Sequence, residues 1–98
     1  MVRPRLCRRV RFNPEAVYFK PRGIPLAELK EVILNFEEFE AVRLKDLEGL
    51  EQEECAKKMN ISQPTFHRTL CSARKKIAEA LVMGKAIKIC GGNFKLFI

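Results

Sequence analysis

A chain of 98 residues, 47% of them hydrophobic, suffices for one domain with a modest core. No run approaches the roughly 20 apolar residues that span a membrane. The basic start MVRPRLCRRVRF lacks the apolar stretch of a secretory signal, so a cytoplasmic location is expected. The net charge of +7 is unevenly placed. Residues 1–22 hold seven Lys/Arg against Glu15, residues 23–54 hold three against ten carboxylates, and residues 55–98 hold nine against Glu79. Two basic segments thus flank an acidic one. A polyanion can meet both basic segments while the acidic one turns away or binds another protein; solubility alone does not require such segregation.

Catalysis finds little to work with. His67 is the single histidine, there is no phosphate-binding glycine loop, and no carboxylate-rich cleft pattern stands out. Cys7, Cys55, Cys71 and Cys90 lie far apart, without the paired spacing of a zinc site. The expectation is a non-enzyme with no cofactor, no metal and free thiols. A disulfide or composite metal site from Cys7 and Cys90 is the alternative.

In chain order, residues 5–12 alternate. Leu6, Val10 and Phe12 share one face, interrupted by Arg8, and Cys7, Arg9 and Arg11 share the other. This is the period of a strand. Arg3, Arg5, Arg8, Arg9 and Arg11 are candidate phosphate contacts of a basic arm, or the charges of a guarded sheet edge. Residues 13–25 hold three of the five prolines and read as a loop, with Tyr18 and Phe19 either pinning it to the core or stacking on bases. Residues 26–34 fit a helix starting after Pro25 or a short strand ending in Val32, Ile33 and Leu34. Asn35, with Glu38 three residues on, has the spacing of a capping box. A helix over 36–48 is expected to follow. Phe36, Phe39 and Val42 form its apolar face, Glu37, Glu38 and Glu40 crowd its positive end as a solvated, capped surface, and Gly49 stops it.

The segment Gln52 to Ile77 has the pattern of a helix-turn-helix. Cys55, Ala56 and Met59 make one face of a short helix. Asn60 suits the left-handed residue that ends it, Ile61 plugs the corner, and Ser62 caps a second helix with Pro64 in its first turn. Phe66, Leu70, Ala73 and Ile77 make the apolar stripe of that second helix, which is expected to run from 63 to about 82, with Gly84 just past its end. Its other faces carry Gln63, Thr65, His67, Arg68, Thr69, Ser72, Arg74, Lys75 and Lys76, side chains that bond base edges and phosphates. Residues 85–98 alternate around Gly91-Gly92, a two-residue turn signal, and predict a β-hairpin that packs on the helices as a wing or pairs with the 5–12 strand. The apolar end FKLFI is a candidate dimer contact.

The stretches RPRLCRRVRF, YFKPRGIPL, EEFEAVRLKDLEGLEQEECAKKMNISQPTFHRTLCSARKKIAEAL and GKAIKICGG resemble an uncharacterised family of small bacterial and archaeal proteins described as predicted DNA-binding proteins. The resemblance spans nearly the whole chain. Phe36 to Leu81 also resembles region 4 of sigma factors. Many members have Gly at the position of Asn60, and some have a second Cys at the position of Arg11.

These readings converge on a mainly α single domain over 1–98. It comprises a basic arm and loop at 1–25, a three-helix, sigma region 4-like core at 36–82, a short N-terminal strand and a C-terminal hairpin at 85–98. The expected function is sequence-specific binding of double-stranded DNA by a transcriptional regulator. The helix from Gln63 would enter the major groove, with Gln63, Thr65, His67 and Arg68 nearest the bases and Thr69, Ser72, Arg74, Lys75 and Lys76 nearer the backbone. A homodimer reading two half-sites is the expected assembly, and no membrane partner is expected. The alternative is a protein-interaction module that uses the acidic 37–54 face.

Overall fold

The computed structural model describes residues 8–10, 14–92 and 94–96. Among these the chain forms three α-helices and two small sheets. The stretch left open between helix and strand ends in a strand. A single 3-10 turn at Leu26–Glu28 leads into a strand at Glu31–Leu34, in which Val32 and Leu34 are buried while Glu31 and Ile33 are exposed. Within the expected loop, Tyr18–Phe19 form a two-residue strand. In chain order the strands are β1 (Arg8–Val10), β2 (Tyr18–Phe19), β3 (Glu31–Leu34), β4 (Ala86–Ile89) and β5 (Phe94–Leu96).

Asn35 closes β3 and opens α1 (Phe36–Val42) through the expected capping box. Its side-chain oxygen accepts from the Glu38 amide at 2.8 Å, and its own amide donates to the Glu38 carboxylate at 3.0 Å. α1 runs on directly into a π-helical stretch, Arg43–Leu47, so the two together fill the helix expected over 36–48. The widened turn shows in the bond from the Glu48 amide to the Arg43 carbonyl, 3.0 Å. α2 (Gln52–Met59) and α3 (Gln63–Met83) follow. Gly84, at φ 66°, ends α3 in the left-handed conformation that its position predicts.

All three helices lie between β3 and β4, which pair in parallel with Val32 opposite Ile87 and Leu34 opposite Ile89. β4 is the centre of the larger sheet, because β2 pairs antiparallel along its other edge. The hairpin expected over 85–98 does not form. β4 has neighbours on both edges and none left for β5, which pairs instead in parallel with β1. The Gly-Gly signal therefore serves a close approach rather than a chain reversal. The Gly91 carbonyl accepts from the Phe36 amide at 3.1 Å, and a Cβ on Gly92 would sit 3.1 Å from the Asn35 Cβ. Gly92 also has φ 102°, where L side chains are strained. Gly92→Ala is accordingly expected to cost about 1–3 kcal/mol in urea denaturation. A wild-type midpoint would show that this crossing tolerates a side chain.

The β1–β5 pairing agrees with the second arrangement that the alternating 5–12 segment allows, a sheet partner for the C-terminal strand. β1 lies against α1 and α2, and Val10 is fully buried. Of the FKLFI dimer contact, Phe94–Leu96 form β5 within the same chain, and the last two residues lie outside the described ones.

The core has two adjoining parts. Ala41, Leu44, Cys55, Ala56, Met59, Phe66 and Leu70 cluster where the three helices meet, with Leu50 and Ile61 packed on their margin. Leu34, Ala73 and Ile89 join the sheet to α3, supported by Phe36, Phe39 and Ile87. Cys55 is completely buried, and burial pushes its thiol pKa up, as for a small core residue.

Candidate nucleic-acid interface

The α2–α3 corner follows from residues 59–65. Met59 is the last buried residue of α2. Asn60 then takes φ 57°, the left-handed conformation open to Asn at low cost. This lets the Ile61 amide reach back to the Ala56 carbonyl at 3.0 Å, while the half-buried Ile61 side chain packs on the core. Ser62 opens α3 by accepting the Thr65 amide at 3.3 Å, with Pro64 in the first turn. Phe66, Leu70, Ala73 and Ala80 are buried, so the opposite face of α3 is turned outward.

The nine side chains of α3 singled out as candidate contacts fall into three groups. Gln63, His67, Arg68 and Lys75 are exposed. The Arg68 guanidinium donates to the Thr65 hydroxyl at 3.3 Å, which leaves most of its donors to solvent. Thr65 and Thr69 are half-buried and engaged locally. The Thr65 hydroxyl also accepts from Ser62 at 2.9 Å, and the Thr69 hydroxyl donates to the Thr65 carbonyl at 2.9 Å. Ser72, Arg74 and Lys76 face carboxylates of the first helical segment. Ser72 donates to Glu38, the Lys76 ammonium lies 2.7 Å from Glu38, and Arg74 makes a two-pronged pair with Asp46. The hydrogen bond from Arg74 holds the Asp46 carboxyl below the ordinary carboxylate range, an effect that screening at this exposed site keeps modest.

The basic arm is described only in part. Arg8 and Arg9 lie in β1, where Arg9 is exposed. Arg3, Arg5, Arg11 and Cys7 lie outside the described residues, and with Cys7 the pairing proposed for Cys90. Among the described residues no group of three or more metal-ligating side chains converges.

The acids of α1 depart from expectation. Glu37, Glu38 and Glu40 are buried rather than solvated, with 8%, 3% and 1% of their surfaces exposed. The first turn of a helix needs acceptors for its unpaired amides, and the same carboxylates also reach cations. Glu38 serves the cap, Ser72 and Lys76 together, and Glu40 holds the Arg43 guanidinium at 2.7 and 3.0 Å. The sequence marks Glu38 as a capping residue but not as the hub that ties α1 to α3. The exposed Cys71 thiol lies 3.5 Å from the His67 ring beside the candidate contacts, a neighbour that their i, i+4 spacing on α3 implies.

The arrangement is that of a small mixed domain in which three helices are inserted between parallel strands and the last of them presents one polar face. The chain belongs to the family described as protein of unknown function DUF134, whose model matches residues 1–97. It is 62% identical over 96 residues to a UPF0251 protein of Pelotomaculum thermopropionicum, covering 98% of this chain and 73% of the relative. It is 63% identical over 97 residues to a UPF0251 protein of Caldanaerobacter subterraneus, covering 99% and 82%. A UPF0251 protein of Desulforudis audaxviator is 63% identical over 95 residues, covering 97% of this chain and 62% of the relative. No solved structure matches the chain.

Proposed function

We propose that the protein is a sequence-specific, double-stranded-DNA-binding regulator that acts in the cytoplasm, with α2 and α3 as a helix-turn-helix of the sigma region 4 kind. The observation that carries this reading is the sorting of polar side chains on α3. Gln63, His67, Arg68 and Lys75 project from its exposed face, while Ser72 and Lys76 bond Glu38 of α1 and the exposed Arg74 pairs with Asp46 of the π-helical stretch. Base contacts then fall to Gln63, His67 and Arg68 near the start of α3, and phosphate contact to Lys75. Thr65 and Thr69 hold the helix start in shape. Ser72, Arg74 and Lys76 orient α3, a narrower role than their composition suggests. The basic arm supplies further phosphate contacts beyond the helix pair.

The alternative, an acidic protein-docking face, has less to use. Three of its carboxylates are buried, and Glu48, Glu51, Glu53 and Glu54 remain as its exposed glutamates.

Selection of bound sequences from a random duplex pool tests the proposal. Enrichment of one short motif is expected. Arg68→Ala is expected to weaken binding to that motif by about 1–3 kcal/mol and to relax the preference at one base position, as loss of a guanine contact does. A pool that stays random would remove sequence specificity from the account. An unchanged Arg68→Ala preference would take Arg68 off the base edges.

A further inference from the structure

α3 carries a histidine and a cysteine together on its exposed face. His67 and Cys71 are one helical turn apart, and the Cys71 Sγ lies 3.5 Å from the His67 Nε2. Cys55 is buried and Cys90 half-buried, so Cys71 is the exposed thiol among the described residues. The backbone beneath the pair is fixed. Phe66 and Leu70, the residues just before each of them, are 0% and 2% exposed in the helical core. Neither side chain has another hydrogen-bond partner among the described residues.

A thiol–imidazole hydrogen bond accounts for the contact by itself. The same spacing is also the bite of a chelate. Zinc holds a thiolate sulfur at about 2.3 Å and an imidazole nitrogen at about 2.0–2.1 Å, and at a tetrahedral angle the two ligand atoms then stand about 3.5 Å apart. His67 and Cys71 show that separation. Two ligands at i, i+4 on one helix face are also how the H-E-x-x-H pattern holds zinc. Thiolate with imidazole favours a borderline-soft ion over magnesium and calcium, which seek oxygen.

We infer that His67 and Cys71 form a two-ligand site for zinc(II) on the exposed face of α3. The His67 Nε2 lone pair and the Cys71 thiolate each bond the ion, and the thiol proton passes to solvent. No third His, Cys, Asp or Glu converges on the pair among the described residues, so the other two tetrahedral positions are open to water. With the ion in place, that His67 nitrogen is no longer available to a base. Zinc and a duplex then compete for one side chain. This competition rests on the DNA-binding reading; the metal site itself does not.

Cobalt(II) titration of the reduced full chain, without nucleic acid, tests the site. Cobalt takes the place of zinc and reports a thiolate ligand by a sulfur-to-metal charge-transfer band in the near ultraviolet. The band is expected to saturate at one ion per chain and to bleach when zinc(II) is added. Cys71→Ser should abolish it. His67→Ala should weaken cobalt binding by on the order of tenfold or more, since even the groups that merely support a ligand contribute that much. Both positions are exposed, and circular dichroism checks that each variant keeps its helices. No charge-transfer band in the wild type, a band that survives Cys71→Ser, or binding indifferent to His67→Ala would each overturn the assignment. DNA plays no part in these outcomes, so the metal site and the regulator can fail separately.

Discussion

Replacing Phe66 by alanine is expected to lower stability by about 3–5 kcal/mol, enough to leave a domain of this size marginally folded. Phe66 is 0% exposed and is the largest fully buried side chain in the described chain. It stands one turn into α3 and packs where α3 meets Ala41 and Leu44 of the first helical segment and Cys55, Ala56 and Met59 of α2. Its neighbours cannot close over the void without moving a helix. Removing the ring therefore loses its transfer free energy and leaves a cavity as well. Phe66→Leu keeps most of the volume and should lose much less. Urea denaturation followed by circular dichroism measures both. A Phe66→Ala loss below about 1 kcal/mol would mean that the three helices do not meet on this side chain.

The second large effect is expected at Glu38. Its carboxylate receives the Asn35 amide at 3.0 Å, the Lys76 ammonium at 2.7 Å and the Ser72 hydroxyl, and it is 3% exposed. Glu38→Ala removes half of a capping box and leaves a cation and a hydroxyl on α3 without their acceptor. Hydrogen bonds to a charged group contribute more than neutral ones, and the expected loss is roughly 2–4 kcal/mol. Lys76→Met discriminates the two roles of this carboxylate. It removes the ion pair but spares the cap, and because the Lys76 side chain is 36% exposed its cost should be the smaller of the two. Equal losses in the two variants would show that neither the cap nor the Ser72 bond contributes.

These two sites differ in how far the sequence reveals them. Phe66 is legible because the i, i+4, i+7 recurrence with Leu70 and Ala73 is a local signal, and so are the left-handed Asn60, the Ser62 cap, Pro64 and the Asn35–Glu38 box. Each is decided by residues within four positions of one another, where helix geometry alone dictates contact. The links from Glu38 to Ser72 and Lys76, and from Asp46 to Arg74, cross 34, 38 and 28 residues, and composition does not say which cation meets which acid. Ser72, Arg74 and Lys76 therefore read as open polar contacts although they face carboxylates of the first helical segment.

The C-terminal segment shows the same limit in the sheets. Alternation in 86–89 and the glycine pair are real signals of strand and turn. Which strand lies beside which depends on β4 already having β2 and β3 as neighbours, and residues 85–98 carry no trace of that. Gly92 is needed where the chain crosses Asn35, a requirement set 57 positions away and indistinguishable locally from a hairpin turn. The π-helical stretch at Arg43–Leu47 is likewise hidden, since an apolar period near 3.6 does not separate one widened turn from a regular one.

The most direct measurement of the central claim is fluorescence anisotropy of labelled duplex DNA with the folded full chain, repeated in rising salt. Binding at low salt is expected, with the logarithm of the association constant falling linearly against the logarithm of salt concentration. Lys75→Ala should make that line shallower by about one unit, the loss of one phosphate contact. Folded protein that leaves the anisotropy unchanged at low salt, or binding that salt does not weaken, would contradict the account.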